Sequence, residues 1–221
     1  FFVLEYPKNK KGGKASVEEI GFLDALAQAR EEDDQICRLT QLRQELKGLD
    51  LSELELRDCH FHGCRFTDCD FSGAVLERCL FHSCQLVQCR FGNSCWRDTA
   101  LLECKAEGSD FRGARIRECG WKDTLLRYSN FNESQWRSAK LECCDLRETT
   151  LSSAVVKELT LEKVDLTGAE LFRTSLKGTD LSRCTIDSIS LSASCAELKG
   201  ARIAPHQAAV VARILGIGVA E

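Results

Sequence analysis

The chain has 221 residues, 43% of them hydrophobic and 29% charged, with a formal net charge of −4. This length could make one domain or two. No apolar run is long enough to span a bilayer, so no membrane association is expected.

Phe1-Phe2-Val3-Leu4 opens the chain without a basic leader and does not read as a secretory signal. The chain lacks methionine even at position 1, which suggests a trimmed or tagged form of a longer product. Ser16-Val17-Glu18-Glu19 has the form of a capping box, and Ile20, Leu23, Leu26 and Ala27 then mark one face of a helix. After the acidic run Glu31-Glu32-Asp33-Asp34, read as a solvated face or turn, Ile36, Leu39, Leu42 and Leu46 continue a helical stripe to a stop at Gly48. Residues 1–48 are therefore expected to be an N-terminal extension and helical cap.

From Leu46 to Leu191 every fifth residue is apolar without a break, among them Phe71, Phe91, Trp96, Phe111, Trp121, Phe131, Trp136, Leu166 and Leu191. Helices repeat at 3.6 and strands at 2, so neither period explains this beat. It is an internal repeat. Two residues ahead runs a register of small side chains, including Cys59, Cys64, Ala74, Ser94, Thr99, Ser109, Cys119, Ser134 and Cys144. The position between them is often acidic or amide, as in Cys69-Asp70-Phe71 and Ser129-Asn130-Phe131.

A unit of one small, one polar, one large and two variable residues resembles the pentapeptide-repeat family. The resemblance implies an all-β solenoid, a right-handed quadrilateral β-helix over residues 49–203, with four pentapeptides per square coil and the small and large registers inward. Coils would stack at about 4.8 Å, the spacing of hydrogen-bonded strands, so residues twenty apart form columns. Phe71, Phe91, Phe111 and Phe131 fall on one column and should stack. The tryptophans read as core, with Ala106 making room for Trp96 in the same coil.

Ten of the fourteen cysteines fall in the inward register, where a thiol packs as a small hydrophobe; Cys37, Cys95, Cys143 and Cys195 lie outside it. Stacked thiols with parallel side chains make poor disulfide geometry, and so many unpaired thiols suit a reducing cytoplasm.

After Leu191 the spacing jumps by two residues, to Ala196-Glu197-Leu198 and Ala201-Arg202-Ile203, which predicts a small bulge and a last partial coil. Pro205 follows, and Ala208 to Leu215 reads as a short apolar helix within a tail of residues 204–221. The run from His206 to Val219 is similar to the C-terminal end of Qnr-type quinolone-resistance proteins. That resemblance implies a homodimer through Ala208, Val211, Ile214, Leu215, Ile217 and Val219. It also implies a DNA-mimicking acidic surface that engages DNA gyrase or topoisomerase IV and modulates quinolone susceptibility. The alternative is that the tail merely caps the last coil.

The candidate acidic surface is Asp50, Glu53, Asp70, Asp110, Glu133 and Glu170. It is interrupted by Arg90, Arg112 and Arg173, and the solenoid as a whole is nearly neutral. On the adjacent side Arg57, Arg97, Arg117, Arg137, Lys157 and Lys177 form a basic column broken by Glu77; neighbouring Asp58, Asp98, Glu118 and Glu158 favour a mixed-charge face over a phosphate track. His60, His62 and His82 share one side, but no carboxylate or exposed thiol is seen to complete a metal site. No phosphate loop, nucleophile elbow or metalloprotease motif occurs, and repeated faces without insertions offer no obvious pocket. No catalysis, cofactor, metal or direct nucleic-acid contact is expected. Two functional readings remain: a Qnr-like DNA mimic, and a general protein-interaction scaffold.

Overall fold

A computed structural model describes residues 21–32 and 35–220. The capping box Ser16–Glu19, Ile20 and the acidic pair Asp33 and Asp34 lie outside the described residues. The chain forms a right-handed quadrilateral β-helix, with helix α1 (Phe22–Glu32) at one end and helix α2 (Ala208–Ile214) at the other. One side is a seven-stranded parallel sheet running from Ile36–Cys37 to Val155–Lys157, and the next is a second seven-stranded sheet running from Thr40–Leu42 to Thr160–Glu162. The third side begins as the strands Glu45–Lys47, Arg65–Thr67 and Gln85–Val87, and continues as single bridges through Lys105, Leu125 and Asp145. The fourth consists of single bridges linking Asp50, Asp70, Arg90, Asp110, Asn130, Thr150, Glu170 and Ser190. Up to Ser190 every pairing joins residues twenty apart, so the fifth-residue beat of the sequence becomes columns that rise through the coils.

The expected helical stripe from Ile36 to Gly48 is instead strand. Ile36 pairs with Leu56, Gln41 with Phe61 and Leu46 with Phe66, so the coil begins ten residues before the unbroken apolar register. Gln41, a polar residue at an inward position, is what hid this coil. The space it leaves in the core is filled by Phe22 of α1, whose ring meets Phe61 edge-on at 5.5 Å and Phe66 at 6.3 Å. The buried face of α1 is Phe22 and Ala29, with Ala25 and Leu26 half-buried, while Leu23 and Ala27 face solvent. Arg30 ties the helix down, donating to the backbone oxygens of Asp50 and Ser52 at 3.1 and 2.9 Å. The helix thus covers an open strand edge and core that would otherwise invite association.

Inside the solenoid all fifth residues from Leu46 to Leu191 are buried except Val156, which is half-buried. Phe71, Phe91, Phe111 and Phe131 stack with centroids 4.7–4.8 Å apart and planes within 20°. Trp96 and Ala106 are both fully buried in one coil, so a large ring is offset by a small partner at constant cross-section.

The small register has a hydrogen-bonding reason as well as a steric one. Many of its polar side chains donate to the carbonyl 23 residues earlier, as do Cys79 to Leu56 at 3.3 Å, Cys84 to Phe61 at 3.3 Å, Thr99 to Leu76 at 3.0 Å and Ser109 to Leu86 at 2.6 Å, while Ser94, Ser134 and Thr149 donate to the carbonyl three residues earlier. Cysteine, serine and threonine are thus interchangeable donors. The ten inward cysteines are all buried, and burial pushes the Cys119 and Cys144 thiols up to about 12, which keeps them protonated as donors. Cys37 and Cys143 are exposed, and Cys95 and Cys195 half-exposed.

From Arg38 to Gly178 each corner turns on a residue with positive φ, two places after the inward residue of the large register, as at Asp58, Asn93, Tyr128 and Glu148. Glycines at 63, 73, 108, 113 and 168 occupy the same place because the left-handed conformation carries no steric penalty for them.

At the C-terminal end the register slips as the spacing predicts: Asp180 pairs with Arg202, 22 residues away rather than 20. Glu197 is buried at the slip and accepts hydrogen bonds from the Arg173 and Ser192 amides and the Ser192 hydroxyl. Gln207 closes the last coil. Its side-chain amide donates to the Leu181 and Cys184 carbonyls at 2.9 and 2.7 Å, and its side-chain oxygen accepts from the Ala204 amide at 2.7 Å. One side chain therefore supplies bonds that a further strand would have made.

Candidate interaction surfaces

Because the backbone forms straight columns, a function must reside in the side chains these columns present or in the two ends. At the C-terminal end, α2 lays Ile214 against the core, and Val211 is half-buried. Beyond it Leu215, Ile217 and Val219 are 47%, 56% and 40% exposed, and Ala208 is exposed as well. Of the six residues expected at a two-fold contact, four thus face solvent and two back them. A cluster of large apolar side chains in solvent is the surface feature that most needs a partner.

The acidic candidates do not form a continuous stripe. Asp50, Asp70, Asp110 and Glu170 share the fourth side, with Arg90, Asn130 and Thr150 between them, whereas Glu53 and Glu133 sit at the neighbouring corner, separated by Gly73, Asn93 and Gly113. Three of the acids are matched by arginine: Asp50 by Arg30 at 3.2 Å, Asp70 by Arg90 at 2.9 Å and Asp110 by Arg112 at 2.7 Å. Hydrogen bonds from the Ser52 hydroxyl and amide hold the Asp50 carboxyl below its ordinary range. Burial pushes the Asp70 carboxyl up, but bonds from Ser72 and Arg90 prevail and it too lies low. The paired guanidiniums largely cancel the fields of these acids at contact distance.

Most of the expected basic column is present, with Arg57, Glu77, Arg97, Arg117, Arg137 and Lys157 in register, but the strands end at Lys157 and Lys177 is not paired into the column. Its lower part is ion-paired, Arg57 and Arg78 both meeting Glu77. Among the described residues Arg117, Arg137 and Lys157 have no carboxylate within 4.0 Å. The adjacent Asp98 carboxyl is pushed up by burial and by Glu118 above it.

The second side differs from expectation in two ways. Gly120, between Ala100 and Lys140 in its column, opens a groove of about 370 Å³ over Ala100, Leu102 and Trp121, rimmed by Asp98, Glu118, Lys122 and Glu142, where no pocket is anticipated from the sequence. The histidines also have a carboxylate neighbour after all. His62 and His82 are paired in register with their Nδ1 atoms 2.9 Å apart, and Glu103 Oε2 lies 3.6 Å from His82 Nε2. Glu103 follows His82 by 21 residues, so the twenty-residue column spacing was the signal that would have found it. Among the described residues no three metal-binding side chains converge on one point, and no helix is long and apolar enough to cross a membrane.

A four-sided parallel coil with inward small and large registers and ends closed by short helices defines a class. The chain belongs to the pentapeptide-repeat family: a pentapeptide repeat region matches residues 74–151, and pentapeptide repeats match residues 45–82 and 151–186. Among solved structures it is similar to a trypsin-treated variant of QnrB1, a plasmid-mediated fluoroquinolone resistance protein, at 29% identity and a TM-score of 0.51, covering 82% of this chain and 90% of that one. A second trypsin-treated QnrB1 variant is 25% identical over 82% of this chain and 100% of its own, with a TM-score of 0.46. HetL, a pentapeptide repeat protein involved in heterocyst differentiation regulation from the cyanobacterium Nostoc, is 15% identical over 81% of this chain and 91% of its own, with a TM-score of 0.25. No curated protein sequence matches the chain significantly.

Proposed function

We propose that this protein is a non-catalytic binding protein that pairs tail to tail and lays the faces of the resulting rod against a type II topoisomerase, DNA gyrase or topoisomerase IV, altering its response to fluoroquinolones. The observation that carries this reading is the exposed Leu215, Ile217 and Val219 beyond α2, at the end of a chain similar to most of the length of QnrB1. In a two-fold contact each copy buries the same patch, and the rod doubles in length.

A second reading, a scaffold for a different protein partner, is favoured by the arginine-matched acids of the fourth side, which make a poor copy of a uniform polyanion. The test is a gyrase supercoiling assay with and without a fluoroquinolone, titrated with wild-type protein and with Leu215→Asp. The topoisomerase reading expects a sedimenting dimer that changes drug sensitivity, and a folded Leu215→Asp monomer without that effect, because a charge placed in a two-fold apolar contact is buried twice. A wild-type dimer that leaves both topoisomerases unaffected selects the scaffold reading. A wild-type monomer rejects tail pairing.

A further inference from the structure

The pairing of His62 with His82 is independent of the tail and of any topoisomerase. The backbone holds these residues in register on consecutive coils, both rings are half-buried, and their Nδ1 atoms face each other at 2.9 Å with ring planes tilted by 51°. Their column continues into Leu42 on one side and Leu102 on the other, so apolar side chains flank the pair.

Two imidazole nitrogens bound to one first-row metal, each at about 2.0–2.1 Å, stand about 2.9 Å apart when the angle between them is 90°, and about 3.3 Å apart at the tetrahedral angle. The observed spacing is that of two adjacent ligands on an octahedral or square-planar ion. Nickel and copper take such geometries with nitrogen and oxygen donors, whereas zinc prefers the wider angle. The remaining nitrogen of His82 faces Glu103 Oε2 at 3.6 Å, and Ser83 Oγ steadies that carboxylate at 3.2 Å. A carboxylate behind the ring nitrogen opposite the metal is the usual outer partner of a ligating histidine; it sets the tautomer and orientation of the ring.

We propose that His62 and His82 form a two-imidazole site for a divalent transition ion of the nickel or copper type, bound through both Nδ1 atoms, completed by water and oriented by Glu103. Two protein ligands leave most positions to solvent, which agrees with the lack of a third converging side chain among the described residues. Glu103 is a positioning residue here. Its effect passes through His82.

The test is calorimetric titration of the full chain with Ni²⁺, with the absorption spectrum of the bound ion read in parallel. The wild type should bind one equivalent and show weak ligand-field bands without thiolate charge-transfer bands. His62→Gln and His82→Gln should each weaken binding by at least about tenfold, and Glu103→Gln by about tenfold, the effect of removing an outer partner. His60→Gln should leave affinity unchanged. Circular dichroism confirms that each variant is folded. Failure of the wild type to bind Ni²⁺, binding that survives His62→Gln, or thiolate bands from Cys37 or Cys143, would overturn the assignment. The 2.9 Å contact is then a hydrogen bond between the two rings.

Discussion

Two stretches of the same solenoid are filled in different ways. Between Phe61 and Trp136 the core is a continuous aromatic cluster in which the phenylalanine column stacks at 4.7–4.8 Å and the indoles of Trp96, Trp121 and Trp136 meet edge-on at 5.2–5.9 Å. From Leu141 to Leu191 the large inward residues are leucine with an occasional valine or isoleucine, and the two seven-stranded sheets end within this stretch, at Lys157 and Glu162, leaving single bridges beyond. Where the two meet, a cavity of about 20 Å³ remains, lined by Trp136, Leu151, Val156, Leu171 and their neighbours. The half-buried Val156 lies at this junction. The repeat therefore fixes the shape of the coil, and the choice of large residue fixes how completely the coil is filled. Stability along a solenoid is a sum of local terms, so the two stretches should not be equally stable.

The largest effect expected from this difference is at the centre of the aromatic region. Phe111 touches Phe91, Phe131, Trp96 and Trp121. Phe111→Ala should cost about 3–5 kcal/mol, to which lost ring–ring pairs contribute about 0.5–1.5 kcal/mol each. Leu171→Ala, beside the cavity, should fall toward the lower end of about 2–5 kcal/mol, because its surroundings are already loosely filled. Urea unfolding measures both. All three tryptophans lie in the aromatic region, so indole fluorescence follows that region while far-UV circular dichroism follows the whole rod. A dichroism transition that precedes the fluorescence transition would confirm that the leucine region opens first; equal costs for the two substitutions would break the comparison.

Most of this architecture is legible in the sequence because each inward residue recurs at a fixed interval. The register, the stacked phenylalanines, the Trp96–Ala106 compensation and the slip after Leu191 all follow from counting. What counting missed lies where the count fails. Gln41 interrupts the apolar beat, so the coil from Ile36 to Lys47 passes for helix, its leucines being spaced by three and four by coincidence. Phe22 completes that coil from another element, which no repeat can announce. Gln207 and Glu197 act through side-chain bonds to backbone groups of distant coils, and neither is distinguishable in sequence from an ordinary polar residue. The corner conformation was visible in the shared register of Gly63, Gly73, Gly108 and Gly113, but aspartate, asparagine and glutamate at the other corners obscured it. Among the candidate surfaces, the columns of charge follow from the twenty-residue interval. Their mutual neutralisation does not, because it depends on which rotamers bring Arg30, Arg90 and Arg112 to their acids.

A smaller effect sharpens the comparison. Leu151 follows Phe131 in the phenylalanine column and lines the cavity. Leu151→Phe would carry the stack one coil further and fill that space. A gain of about 0.5–2 kcal/mol is expected, as for other cavity-filling changes, seen as a higher urea midpoint with an unchanged slope. A loss of stability would show that the cavity is too narrow for a ring and that the junction is set by overpacking.

The smallest effect concerns a defect inside the aromatic region itself. Trp96 and Trp136 each donate their indole N–H to the serine two residues earlier, Ser94 at 2.8 Å and Ser134 at 2.9 Å. Those hydroxyls in turn donate to the Phe91 and Phe131 carbonyls at 2.6 Å, which turns a lone pair toward the indole. Trp121 is buried in the same manner, but the residue two before it is Cys119, whose thiol donates to the Arg117 carbonyl at 3.2 Å, and the Trp121 Nε1 is left buried without a partner. Sulfur is a weak acceptor, and an unpaired buried donor costs about 1–3 kcal/mol. Cys119→Ser supplies the missing oxygen in a setting that already works twice in this chain. Part of the gain is offset because a hydroxyl is less well suited than a thiol to an apolar site, so the net should be about 0.5–1.5 kcal/mol, a rise in Tm of a few degrees for a chain of this size. Cys144→Ser is the control: Leu146, not tryptophan, follows it by two residues, and no gain is expected. If Cys119→Ser is no more stable than wild type, or if Cys144→Ser matches it, the unpaired indole is not the weak point of the aromatic region.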